Sequence, residues 1–164
     1  MAKPQLLDLF HTLSPPAPGT LRGEYAGIDY FGRTEDTIEA ALTRLRSGDT
    51  FWLGKAFPGV EGDGASGDNR IHNPDGTVSR RDRYGIHRGT SPLDGNPTIL
   101  LKYSDFDNAA GGIGFLDEVR QVNERLFVCT GTPEEGKGDT GSFFMSGPPA
   151  PFVGPDDPTS ELLS

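Results

Sequence analysis

A chain of 164 residues with a formal net charge of −9 and a pI near 4.7 has the size of one domain. It lacks the basic surface that attracts phosphate backbones, which sets nucleic-acid partners aside. No apolar run approaches the roughly 20 residues that carry a helix across a bilayer, so no membrane partner is expected. The one cysteine, Cys129, cannot close an internal disulfide, and MAKPQLLDLFHTLSPP has neither a basic n-region nor a long apolar h-region. Together these predict a cytoplasmic protein.

Twenty-three glycines and 14 prolines, spread along the whole chain, predict many short elements joined by frequent turns. Leu6, Leu9, Phe10 and Leu13 fall at helical spacing after Pro4, which predicts a short amphipathic helix over 4–13. Residues 20–31 read as a strand, with Tyr25 set between Gly23 and Gly27. A second helix is predicted over 34–47: acids open it, Ile38, Ala41, Leu42 and Leu45 give it an apolar face, and Arg44, Arg46 and Gly48 close it. Residues 50–57 are aromatic and extended, and PGVEGDGASGDN reads as a mobile acidic loop.

From residue 80 the pattern turns to strand after strand: RRDRYGIHR, PTILLKYS, FLDEVRQV, RLFVCTG and GSFFMSG. Between Val122 and Arg125 only Asn123 and Glu124 intervene, which is hairpin length. Two helices near the start followed by seven or eight strands predict a mainly β domain over 1–147, an antiparallel up-and-down meander that closes on itself. Closure removes exposed edges, and an eight-stranded barrel has an interior either filled by side chains or able to take one small ligand. Residues 148–164, proline-rich and acidic, read as a loosely held tail.

The stretch Gly19-Thr20-Leu21-Arg22-Gly23-Glu24-Tyr25-Ala26-Gly27 resembles the Gly-x-Trp-x-Gly signature on the first strand of lipocalin-like barrels, with Tyr25 standing where that family has tryptophan. Phe51 to Phe57, Asp68-Asn69-Arg70, Leu93-Asp94-Gly95, Leu101-Lys102-Tyr103 and Asp117-Glu118-Val119-Arg120 resemble segments of small bacterial proteins of this kind. The resemblance covers roughly residues 19–147 and implies a calycin-type barrel with a ligand cavity. Haem-binding barrels of the wider group use a histidine near the C-terminus; the last histidine here is His87, so no haem or other cofactor is expected.

Period-two alternation sorts the candidate residues. Phe51, Leu53, Lys55 and Phe57 share one face of their strand, opposite Trp52, Gly54 and Ala56. An inward Lys55 needs a carboxylate or a ligand anion, because an unpaired buried charge is very costly. Leu116, Glu118, Arg120 and Val122 share a face opposite Asp117, Val119 and Gln121, so either Glu118 with Arg120, or Asp117, faces the interior. An inward carboxylate there can orient a polar ligand group or act as a general base. Tyr25, Trp52, Tyr84, Tyr103, Phe127, Phe143 and Phe144 lie on separate strands as candidate cavity walls, with Tyr25 and Tyr103 offering hydroxyls.

His11, His72 and His87 have none of the spacing of a zinc site, and the loop at 59–64 lacks the ordered ligands of a calcium loop, so no metal is expected. Nucleotide loops and nucleophile elbows are likewise missing. The sequence therefore predicts binding of a small hydrophobic or amphipathic molecule, with Tyr25, Trp52, Lys55, Tyr103, Glu118, Arg120 and Phe144 near it. The alternative is a cofactor-free isomerase, cyclase or dehydratase of the same fold. There Glu118 or Asp117 moves protons while Lys55 or Tyr103 polarises a carbonyl. Homo-oligomerisation is left open.

Overall fold

A computed structural model describes residues 3–30, 51–150 and 161–163. Eight strands run as a continuous antiparallel meander: β1 Arg22–Tyr30, β2 Phe51–Pro58, β3 Ser66–His72, β4 Val78–Thr90, β5 Pro97–Lys102, β6 Leu116–Asn123, β7 Leu126–Thr132 and β8 Gly141–Ala150. Each strand pairs with its sequence neighbours, and pairing of β8 with β1 closes the ring. The expected mainly β, up-and-down closed barrel is thus the observed architecture. No helix among the described residues is long and apolar enough to cross a membrane.

Helix α1, Lys3–Thr12, occupies the segment predicted for it, while the helix predicted over 34–47 lies outside the described residues. A short helical segment α2, Ala109–Gly112, sits in the connection before β6, and a tight turn at Pro133–Gly136, with Glu134 and Glu135 at positive φ, sits before β8. Residues 148–164 were expected as a loose tail. At its described positions this segment finishes β8, and its Glu161–Leu163 pair in parallel, as β9, with Ser79–Arg81 of β4.

The expectation of a loop through 58–69 fails at β3, which begins at Ser66. Its sequence SGDNRIH has no apolar alternation because it buries polar groups on both faces. Asp68 points outward to Arg80, with Arg80 Nη1 2.7 Å from Asp68 Oδ1, while Asn69 points inward. Gly67 is required for space: a Cβ there would lie 2.2 Å from the Ala56 carbonyl and 2.6 Å from the Tyr84 ring. The preceding loop is pinned at two points, Gly62 N donating to Ile86 O at 2.7 Å and Ile86 N to Ala65 O at 3.1 Å.

The barrel interior is solid at one end and hollow at the other. At the solid end Tyr25 packs edge-on against Phe57 and Phe127, both at 5.5 Å between ring centroids, with Leu21, Ile86 and Met145 completing the core. Tyr84 lies between Phe57 and Tyr103, at 5.9 and 5.4 Å, and forms a floor. The second apolar cluster lies outside the barrel, where Leu6 and Phe10 of α1 seat on Val128, flanked by Leu93 and Phe144.

Candidate functional site

Beyond the Tyr84 floor, a cavity of about 200 Å³ is lined by Trp52, Lys55, Asn69, Tyr103, Phe115, Asp117, Gly131 and Phe143. These residues come from β2, β3, β6, β7 and β8, with Tyr103 in the turn just after β5 and Phe115 just before β6, which is why neighbours in space are scattered in sequence. Trp52 and Phe115 are half-buried at the mouth, whereas Lys55 and Asp117 are only 2% exposed.

Strict alternation puts Trp52 and Lys55 on opposite faces, but the structure brings them together. Trp52 pairs with Ile71 and Gly54 with Arg70, so Leu53 is an extra residue that shifts the phase of β2. Gly54 takes φ +140° at this bulge, and a Cβ there would strike the Tyr25 carbonyl at 1.9 Å. Gly27 contributes space alone: its Cα lies beneath the indole, and a Cβ would come within 2.3 Å of it.

The polar groups of the cavity form one closed network. Lys55 Nζ uses three hydrogens, on Asp117 Oδ2 at 2.6 Å, Tyr103 Oη at 2.6 Å and Asn69 Oδ1 at 2.9 Å. Burial raises the Tyr103 hydroxyl well above the usual tyrosine range, with the nearby Asp117 charge acting in the same direction. It therefore stays a phenol and donates to Asp117 Oδ2 at 2.9 Å. Asn69 Nδ2 donates to Tyr103 Oη at 3.0 Å and to Asp82 O at 3.2 Å, and Trp52 Nε1 donates to Asn69 Oδ1 at 3.0 Å. Around the ammonium, the rings of Tyr84, Tyr103, Phe143 and Trp52 have centroids 4.8, 5.2, 5.5 and 5.9 Å away, close enough for cation–π attraction.

Of these five side chains one polar atom is left over. Asp117 Oδ1 is buried with no hydrogen-bond partner. It faces Gly131, where a Cβ would stand 2.9 Å from Oδ1 and 2.9 Å from the Phe115 ring. Glycine at 131 thus keeps open the space in front of the unpaired oxygen. A buried acceptor without a donor is costly, and it marks where a bound molecule would find its strongest contact. Gly131→Ala is expected to fold and to weaken binding of any cavity ligand roughly tenfold or more, since the added methyl stands where the ligand's donor belongs. Titration of the variant against the parent protein checks this, and unchanged affinity would place the ligand elsewhere.

Of the residues the sequence singled out, Trp52, Lys55, Tyr103, Asp117 and Phe143 meet in this cavity. Tyr25 is inside the barrel but at its solid end, where its hydroxyl lies 3.3 Å from both Arg22 N and Thr20 O. Glu118, Arg120 and Phe144 face outward, away from the cavity. Arg120 is fully buried beneath α1, donating to both carboxylate oxygens of Asp94 at 2.6 and 2.7 Å and to Phe10 O at 3.0 Å. Burial pushes the Glu118 carboxyl up, opposed by hydrogen bonding from Ser91 and the Arg120 charge. Asn69, Phe115 and Gly131 were not anticipated as site residues. The first sits in the polar strand read as a loop, and the second lies just ahead of β6, one alternation step from Asp117.

Among the described residues no group of three or more histidine, cysteine or acidic side chains is placed to hold a metal ion. Burial raises the Cys129 thiol well above its usual range, so it is an inert core group.

No protein-family model matches the chain. No curated protein sequence matches it either. Among solved structures it is similar to the crystal structure of a protein from Thermomonospora curvata, with a TM-score of 0.54 and 18% identity over 89% of this chain and 87% of that one. That likeness is one of fold.

Proposed function

We propose that the protein is a lipocalin-like binding module that holds one small, neutral, amphipathic molecule. The apolar body of that molecule packs against Trp52, Phe115 and Phe143, and its hydrogen-bond donor reaches Asp117. The observation that carries this reading is the unpaired Asp117 Oδ1 facing a cavity in which every donor is already committed. A volume of about 200 Å³ lies below the usual range for drug-sized ligands, so one ring with a short substituent is the size that fits. Lys55 does not call for a ligand anion, because Asp117 already neutralises it. An anionic headgroup would instead meet the free carboxylate oxygen.

Acid–base isomerisation of an enolisable substrate needs donors aimed at the developing oxyanion. The donors here point at one another, so binding is the reading the geometry supports best. Trp52 is the one tryptophan in the chain and lies in the cavity wall, so its fluorescence reports occupancy directly. Benzyl alcohol is expected to change Trp52 emission saturably and to bind roughly tenfold or more tighter than toluene, which lacks the donor. Benzoate is expected to bind more weakly than benzyl alcohol. Equal affinity for all three, or no response to any, contradicts the proposal.

A further inference from the structure

We infer that Lys55 is a covalent capture site for small aldehydes or ketones, which it binds as a Schiff base; this rests on the cavity taking a small organic molecule as proposed above. Three features of the site support it. Lys55 lines the cavity with Trp52, Phe115 and Phe143, so a molecule packed against those rings lies beside the lysine side chain. A carboxylate oxygen stands 2.6 Å from Nζ, placed to take the ammonium proton in a transfer that removes both charges at once.

The third feature is how little the network loses when Nζ gives up hydrogens. An ammonium donates three and a protonated imine one. The two acceptors that lose Lys55 keep another donor: Asn69 Oδ1 retains Trp52 Nε1 at 3.0 Å, and Tyr103 Oη retains Asn69 Nδ2 at 3.0 Å. The remaining imine N–H keeps Asp117 Oδ2 as its partner and counter-charge.

The step balances without any further reagent. Asp117 takes one proton from the ammonium, and the amine attacks the carbonyl carbon, breaking the C–O π bond and forming a C–N bond. A second nitrogen proton moves to oxygen, giving a neutral carbinolamine whose hydroxyl is the donor that Asp117 Oδ1 lacks. Asp117 then returns its proton to that hydroxyl, water leaves, and the nitrogen lone pair forms the C=N bond. The products are a protonated imine, one water and the original carboxylate.

The chain has four lysines, Lys3, Lys55, Lys102 and Lys137, so the site of capture can be mapped cleanly. The full-length protein is incubated with benzaldehyde and cyanoborohydride, which reduces the imine to a stable benzylamine, and peptides are mapped by mass spectrometry. The expected result is one benzyl group per chain, concentrated on Lys55 and suppressed by excess benzyl alcohol. Asp117→Asn, checked for a folded spectrum, is expected to slow labelling of Lys55 at least tenfold and to leave Lys102 and Lys137 unchanged. Labelling confined to Lys3, Lys102, Lys137 or the N-terminal amine overturns the inference, and the mapping of the unmodified protein decides this even where a variant does not fold. If benzyl alcohol changes Trp52 emission while Lys55 stays unlabelled, covalent capture fails and the binding reading stands. If neither occurs, both fail.

Discussion

Replacing Lys55 by methionine is expected to lower folding stability by about 3–5 kcal/mol, because it leaves the Asp117 carboxylate buried without its counter-charge. Asp117→Asn should cost a similar amount by stranding the ammonium. The double variant Lys55→Met/Asp117→Asn is expected to return to within about 1–2 kcal/mol of the parent protein. Both charges are then gone, and Tyr103 keeps an amide oxygen to donate to. Urea denaturation of the four proteins gives the coupling energy.

That outcome would make the pair weak as a stabilising device, as the proposed role in ligand binding requires. The double variant also presents an amide N–H₂ where Asp117 Oδ1 had faced the cavity. Its ligand preference should therefore invert, toward acceptors such as benzaldehyde and away from benzyl alcohol. A double variant as unstable as either single one would show that the pair anchors the fold itself.

Arg120→Met is expected to cost about 3 kcal/mol by breaking a second buried charge pair, the one with Asp94. The side chain is 0% exposed, holds Asp94 by two bonds, donates to the Phe10 carbonyl and has its guanidinium carbon 4.1 Å from the Phe10 ring centroid. Its loss removes the clamp between α1 and the barrel wall. Amide hydrogen exchange should show Leu6 to Phe10 losing protection while β5 to β7 keep most of theirs.

Acid dependence gives a second readout. The Arg120 hydrogen bond, with that of His11, holds the Asp94 carboxyl well below the usual carboxylate range. A depressed folded-state value means that its stabilising contribution is complete above the unfolded value of about 4 and is lost progressively as pH falls below it. The parent protein should therefore lose this increment under acid, and Arg120→Met, which lacks it already, should have a flatter stability profile below about pH 4. Parallel profiles would mean that Asp94 is not held by Arg120.

Much of the barrel is legible in the sequence because turn residues and period-two alternation report local geometry. The meander after residue 80 and helix α1 follow from them directly. β3 does not, since its residues answer to distant partners: Gly67 makes room for Tyr84, Asp68 meets Arg80, and Asn69 joins Lys55 to Tyr103. For β6 the two faces are legible but not which one is interior, because both bury charge. Asp117 goes to Lys55 inside, whereas Arg120 goes to Asp94 outside, under a helix that local pattern alone cannot dock there. The need of Lys55 for a carboxylate follows from the cost of burying its charge, but its phase relative to Trp52 depends on a bulge at Leu53 that alternation does not reveal.

The most direct test is a crystal structure of the protein soaked with benzyl alcohol. The predicted result has the ring against Trp52, Phe115 and Phe143 and the hydroxyl within hydrogen-bond distance of Asp117 Oδ1, with Lys55 still bound to Oδ2. A cavity closed by side chains, or a ring bound there with its hydroxyl turned away from Asp117, would contradict the account.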